Sequence, residues 1–218
     1  AAGSVDTLGK SSDIWLGKYN AALGFISSAT VNGASNGSDN GHGVAADGLG
    51  NAYVTGSIND SMAQGNDIFV GKYNWALNAV WQQTYNDPGN NYDTGYGITT
   101  DGAGGVYAAG SESRWDINQG DNLFLRKYNV LGEIIWTRTF NASGSSYESG
   151  FDILVDTSGV VYAGGTFNNG YGIYRYRQLI FSNTNPMLTV YLSSTVPMAD
   201  TGLVVLPFTQ TGGIDPQL

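Results

Sequence analysis

Few residues in this chain have side chains that could do acid–base, nucleophilic or metal chemistry. His42 is the only histidine, and cysteine is absent. An imidazole titrates near neutral pH and is the usual first choice for proton transfer. Here it occupies a position filled by Tyr96 54 residues later and by Phe151 at the next interval. A site shared with tyrosine and phenylalanine reads as a packing position. The acids also recur. Asp47, Asp101 and Asp156 each open a glycine-containing turn, D-G-L-G, D-G-A-G and D-T-S-G. Aspartate favours such turns because its carboxylate accepts backbone N–H groups just ahead of it. A calcium loop of the D-x-[DN]-x-[DN]-G type would need further acidic ligands that are missing here.

A second acidic set is Asp39, Asp93 and Glu148, each eight residues before a turn aspartate. Two readings stand for them. They are solvated loop carboxylates, or they form a ring at one mouth of a central channel that holds a hard cation such as calcium through oxygen ligands. Lys18, Lys72 and Lys127 recur beside Tyr19, Tyr73 and Tyr128. A set of equivalent lysines points to snorkelling or pairing with a carboxylate rather than to a reactive amine. Four aromatics, Trp115, Tyr92, Tyr147 and Trp75, fall in or near loops. Exposed rings of this kind stack on sugars or anchor protein partners, and they are the candidate ligand-binding residues. No nucleophile–base pair is visible, so no catalytic residue is assigned and the chain is read as a non-enzyme.

The elements that must position these residues repeat with the lysines, at intervals of 54 and 55 residues. A period of this length marks a repeat architecture. The stretch D-I-F-V-G-K-Y-N at Asp67–Asn74 is echoed by D-I-W-L-G-K-Y-N at Asp13–Asn20 and N-L-F-L-R-K-Y-N at Asn122–Asn129. Each unit reads as four strands. In the unit starting at Asp39 they are Gly43–Asp47, Ala52–Ser57, Asp67–Tyr73 and Ala79–Tyr85. The next unit gives Gly95–Asp101, Val106–Ser111, Asn122–Tyr128 and Glu133–Phe140. Phe151–Asp156, Val161–Thr166 and a degenerate Gly172–Arg177 follow, and Asp13–Tyr19 and Phe25–Val31 precede. Runs such as I-F-V and I-I-W are apolar on consecutive residues, which suits strands covered on both faces. Sheets stacked radially supply that cover. Gly56, Gly110 and Gly165 hold one place in the repeat, where backbones come close.

Composition agrees with an all-β chain rich in turns: 32 glycines and 14 tyrosines in 218 residues, with only 12% charged. The formal net charge of −9 opposes binding to nucleic acid or an anionic membrane. No apolar run approaches the ~20 residues of a membrane-spanning helix.

The pattern G-x-G-[IV]-x-x-D-x-x-G-x-x-Y-x-x-G-[ST], then D-[IL]-[WF]-[VL]-x-K-Y-N, then W-x-x-T-[YF], resembles the bacterial SBBP-type β-propeller repeat over about residues 1–177. Ser27 departs from it where Trp81 and Trp136 stand. The resemblance implies four-stranded blades in an exported or cell-surface bacterial protein, and it implies no catalytic residue. The expected organisation is a partial blade, two full blades and a partial blade in 1–177, with a divergent β tail in 178–218. That tail holds four of the five prolines and reads as a cap, an edge or an inter-subunit segment. Ala1–Ser4 repeats Ala108–Ser111, so the chain is expected to begin inside a blade, with a processed leader as the other reading. Too few strands are present for a closed propeller, which needs four to eight blades, so an incomplete or open ring is expected. The expected function is a structural or adhesive module contacting protein partners or further copies of itself, with no cofactor beyond the calcium reading. The alternative is a carbohydrate-binding propeller using the loop aromatics.

Overall fold

A computed structural model describes residues 1–6, 11–61, 65–141, 146–167 and 170–177. The strands expected at Met187–Ser193 and Gly202–Thr209, and the whole 178–218 tail, lie outside the described residues.

The strands are β1 (Ala2–Asp6), β2 (Ser12–Tyr19), β3 (Phe25–Val31), β4 (Asn40–Ala46), β5 (Ala52–Ser61), β6 (Gly65–Tyr73), β7 (Ala79–Tyr85) and β8 (Thr94–Thr100). They continue as β9 (Val106–Ser113), β10 (Gly120–Tyr128), β11 (Ile134–Phe140), β12 (Ser146–Tyr147), β13 (Ser149–Val155), β14 (Val160–Phe167) and β15 (Gly170–Arg177). A single 3-10 turn, Trp115–Ile117, is the only helical element among the described residues. The strands form four antiparallel sheets in chain order: β1-β2-β3, β4-β5-β6-β7, β8-β9-β10-β11 and β13-β14-β15, with β12 added parallel to β10. The degenerate segment ending at Arg177 is therefore a strand, as expected.

Two turn designs make each sheet. In the turn between a first and a second strand, Asp47 Oδ1 accepts the amides of Leu49 and Asn51, and Asp101 and Asp156 do the same for their turns. In the turn between a third and a fourth strand, Asn20, Asn74 and Asn129 play that part. The side-chain oxygen imitates a backbone acceptor and fixes the turn. The second turn also needs one left-handed residue, which is Leu23 (φ 60°), Leu77 (φ 62°) or Gly132 (φ 84°).

Sheets stack face to face, and three apolar clusters fill the three junctions. Ile14 and Leu16 of the first sheet meet Val54, Phe69 and Tyr73 of the second. Tyr53, Ile68 and Val70 of the second meet Val106, Phe124 and Tyr128 of the third. Tyr107, Leu123 and Leu125 of the third meet Ile153 and Val161 of the fourth. Each first strand bulges opposite the repeated glycine of its neighbour. A Cβ on Gly56, Gly110 or Gly165 would collide with the carbonyl oxygen of Asn40, Thr94 or Ser149, so only glycine fits there. Among the described residues the first sheet has no strand inside β1, and the blades do not close a ring. Val44 is exposed in consequence, whereas its equivalents Ile98 and Ile153 are buried.

Candidate functional site

The antiparallel order places the β4–β5, β6–β7 and equivalent turns at one end of the stack. The connections after each second and fourth strand lie at the other. Trp115, in the connection between β9 and β10, Tyr92 before β8 and Tyr147 before β13 therefore share one end. Trp75 sits in the β6–β7 turn, at the opposite end. All four are exposed. Trp115 and Tyr147 come together with ring centroids 5.7 Å apart, and the indole N–H of Trp115 donates to Asp121 Oδ1 at 3.3 Å. Trp75 instead receives a neighbour's lysine: Lys18 Nζ donates to its carbonyl at 2.6 Å and lies 5.9 Å from its ring centroid.

Asp39, Asp93 and Glu148 are buried, which corrects the solvated-loop reading. Asp39 accepts the amides of Gly33 and Asn59, both at 2.6 Å. Asp93 accepts those of Asp87 at 2.9 Å and Ser113 at 2.8 Å. Their own N–H groups, and that of Glu148, each donate at 2.7 Å to the preceding sheet, at Ser12, Asn66 and Asp121. Asp39 and Asp93 thus stitch their connections to the sheets on either side, and Glu148 ties its own to the preceding sheet through its backbone. Burial pushes the Asp93 carboxyl up to about 7 despite the amides that favour its ionised form, and it raises Asp39 in the same direction. The structure does not bring the three carboxyls together, and no group of three acids and histidines shaped for a metal ion occurs among the described residues.

His42, Tyr96 and Phe151 are the bulged residues of β4, β8 and β13. They stack in a row, His42 on Tyr96 at 5.2 Å and Tyr96 on Phe151 at 5.6 Å. Crowding by neighbours depresses the imidazole pKa below its ordinary value. The row is partly open to solvent, so the packing is lateral stacking rather than core burial. Lys72 lies over Tyr53 at 5.5 Å and Lys127 over Tyr107 at 4.9 Å. Those tyrosines donate their hydroxyls to Asp47 at 3.0 Å and Asp101 at 3.3 Å. The lysines therefore rest on aromatic faces whose far ends are anchored to the turn acids.

One buried polar group was not foreseen from the sequence. Arg126 and Glu112 form an ion pair at 2.6 Å between the second and third sheets. Arg126 Nε donates to Thr137 Oγ1 at 2.9 Å, and the guanidinium lies 3.7 Å from the Tyr85 ring centroid. Burial raises the Glu112 pKa, and Arg126 opposes that shift. Asp87 lies near this group and is held by Arg114 Nε at 3.4 Å. The signal was present in the repeat: Arg126 replaces Gly17 and Gly71, and Glu112 replaces Ile58.

Residues 32–61 match the family model of the SBBP β-propeller repeat. No curated protein matches the chain. The matched stretch holds Asp39, the bulge at His42, the Asp47 turn and Gly56, all features that return in the later sheets. Residues 32–61 carry the SBBP β-propeller repeat, and the four antiparallel sheets are arranged as open β-propeller-like blades.

Proposed function

We propose that this chain is a non-enzymatic structural or adhesive repeat module of an exported or cell-surface bacterial protein, working through protein–protein contact or assembly. One observation supports the reading above others. The repeated polar side chains are engaged in scaffold hydrogen bonds at turns and junctions, while Trp115, Tyr92, Tyr147 and Trp75 stand exposed at the ends of the stack. Asp39 and Asp93 hold backbone amides. Asp47 and Asp101 hold turns, and His42 stacks on Tyr96. Groups committed in this way hold a shape; they are not poised for proton transfer to a substrate. The reading calls for no cofactor, and calcium would enter only as a stabiliser.

A second reading, carbohydrate binding, draws on the Trp115–Tyr147 pair. Two rings beside a carboxylate at Asp121 offer a stacking face and a hydrogen-bond acceptor for a sugar. Beads coated with the chain should adhere to protein-coated surfaces, and Trp115→Ala should weaken that adhesion. A glycan-array signal that disappears in the same variant would favour the carbohydrate reading. Turnover of a hydrolase substrate panel, abolished by His42→Phe in a folded protein, would overturn both.

A further inference from the structure

Among the described residues, Asn-Gly steps occur at Asn32-Gly33, Asn36-Gly37 and Asn40-Gly41, all at the connection between β3 and β4. An asparagine followed by glycine can lose its side-chain amide without an enzyme. The backbone nitrogen of the glycine attacks the asparagine Cγ, a new N–Cγ bond forms and the Cγ–Nδ2 bond breaks. Ammonia leaves with the proton that the glycine nitrogen gave up. Water then opens the cyclic imide at either carbonyl, leaving aspartate or isoaspartate. Glycine suits the step because it puts no side chain beside the attacking nitrogen.

The imide ring contains the Cα–C bond of the asparagine. Closing it turns the next peptide unit and consumes that unit's N–H. What the N–H does in the fold therefore decides which of the three steps can react. The Gly33 N–H donates at 2.6 Å to the buried Asp39 Oδ2. Losing it would leave a buried acceptor short of a donor, which is costly. Gly41 is buried in β4, in register with Gly56 of β5. Its peptide cannot turn without breaking that pairing. The Gly37 N–H donates to Ser35 Oγ at 3.3 Å, a long bond with little to lose.

Asn36 is also the one of the three whose carbonyl is prepared for attack by a neighbouring asparagine. Asn32 Nδ2 donates to Asn36 Oδ1 at 2.9 Å. Attack on Cγ drives negative charge onto Oδ1, and a donor already aimed at that atom stabilises it. The next connection repeats this geometry. Asn36 and Asn90 have φ of 52° and 50°, and Asn86 Nδ2 donates to Asn90 Oδ1 at 2.8 Å. Asn90 differs in its successor, which is Asn91 rather than glycine.

We propose that Asn36 is a site of spontaneous deamidation, chosen by the fold over Asn32 and Asn40, and that its conversion loosens the junction between the first and second sheets. The turn it occupies is part of that junction. Ser35 Oγ donates to the Asn59 carbonyl, and the Asn59 N–H donates to Asp39 Oδ1. Gly37 lies against the Asn59 side chain so closely that a Cβ would strike it. Isoaspartate adds a methylene to the main chain at this packed point, and either product adds a negative charge beside the buried Asp39.

Peptide mapping by mass spectrometry tests the proposal on the full chain held at mildly alkaline pH, where the attacking nitrogen gives up its proton more readily. It reads the amide-to-acid mass gain at each asparagine. Asn36 should convert about tenfold faster than Asn32 and Asn40, or more, and give both aspartyl and isoaspartyl peptides. In urea, with the fold removed, the three rates should come together. Asn90 should stay intact in the native chain, and Asn91→Gly should make it convert. If that variant loses its β spectrum, Asn32→Ala takes its place and should slow conversion at Asn36. The aged chain should melt at a lower temperature than the fresh one, in proportion to the fraction converted at Asn36. Asn32 or Asn40 converting as fast as Asn36 in the native chain overturns the proposal. So does an Asn36 that converts in urea but not in the folded protein, or an order of rates that urea leaves unchanged. A converted chain that melts like the fresh one overturns the loosening.

Discussion

The junction between the first and second sheets and the junction between the second and third occupy the same place in the repeat but are filled differently. In the later one, Trp81 reaches across to the next sheet. Its indole N–H donates to the Val130 carbonyl at 3.1 Å, and it stacks on Tyr128 at 6.1 Å. The turn residue beneath it is Gly132, where a Cβ would lie 2.7 Å from the indole ring. In the earlier junction the outer-strand residue is Ser27 and the turn residue is Leu77, which is buried in the cluster joining the two sheets. A large residue above a small one has been exchanged for a small one above a large one. Close-packed interiors require this kind of compensation. The two junctions differ a second time at the ion pair: Arg126 and Glu112 of the third sheet stand where the second has Gly71 and Ile58. Junctions in this fold are therefore interchangeable in position but individual in filling.

The largest test of that individuality is the ion pair. Glu112→Ala leaves Arg126 buried without its carboxylate and should destabilise by about 3–5 kcal/mol in urea titrations. Replacing both partners with apolar residues, Arg126→Met with Glu112→Leu, should cost less than that single change, because no charge is then left buried. A double variant as unstable as Glu112→Ala would mean that the junction depends on the charges themselves.

The exchange of large and small comes next. Trp81→Ser should cost roughly 2–4 kcal/mol, since the ring is only partly buried. Gly132→Leu should cost roughly 1–3 kcal/mol by overpacking against Trp81. Together they recreate the filling of the earlier junction. The double variant should be more stable than the sum of the singles by on the order of 1–2 kcal/mol. Strict additivity would show that the two residues do not share one space.

How much of this was legible in the sequence follows from what repeats. The period, the strand positions, the turn aspartates and the glycine of closest approach could be read because each recurs where the backbone demands it. Ser27 was visible as a departure, but its partner Leu77 was not, because compensation runs between sheets and leaves no trace in a single repeat. The carboxylates of Asp39 and Asp93 were legible as a set and misread in environment. Their acceptor role depends on amides brought in from Gly33, Asn59, Asp87 and Ser113. The pairing of Trp115 with Tyr147 joins two connections that share no spacing rule.

A smaller effect separates two equivalent positions by pH. Asp67 is buried, and desolvation pushes its carboxyl up to about 6, with Asp60 and Asp87 adding to the shift. Its equivalent in the third sheet is the neutral Asn122, which donates to Gln119 at 2.8 Å. A carboxyl whose folded pKa exceeds its unfolded value binds more protons in the native state, so stability falls as pH rises between the two. The loss begins near pH 4 and is complete above about 6. Asp67→Asn should therefore match the wild type near pH 3. By pH 8 it should be more stable by roughly 1–3 kcal/mol. A thermal-melting difference that does not grow across that interval would mean that Asp67 is solvated when charged.

The smallest effect tests whether the left-handed turn residue is kept for its backbone or for its side chain. Leu23 and Leu77 share positive φ, a conformation that disfavours any residue with a Cβ. Leu77 is 7% exposed and Leu23 82%. Leu77→Gly relieves the same backbone but removes a buried side chain, so it should lose about 2–4 kcal/mol. Leu23→Gly loses almost no burial in the monomer. It gains the relief of strain and gives part of it back through the extra freedom of glycine in the unfolded chain. The net should be a gain of under ~1 kcal/mol in the monomer, measured by urea titration at low protein concentration. A Leu23→Gly variant that is destabilised even as a dilute monomer would show that its side chain already has a partner in the single chain, and the contrast between the two leucines would disappear.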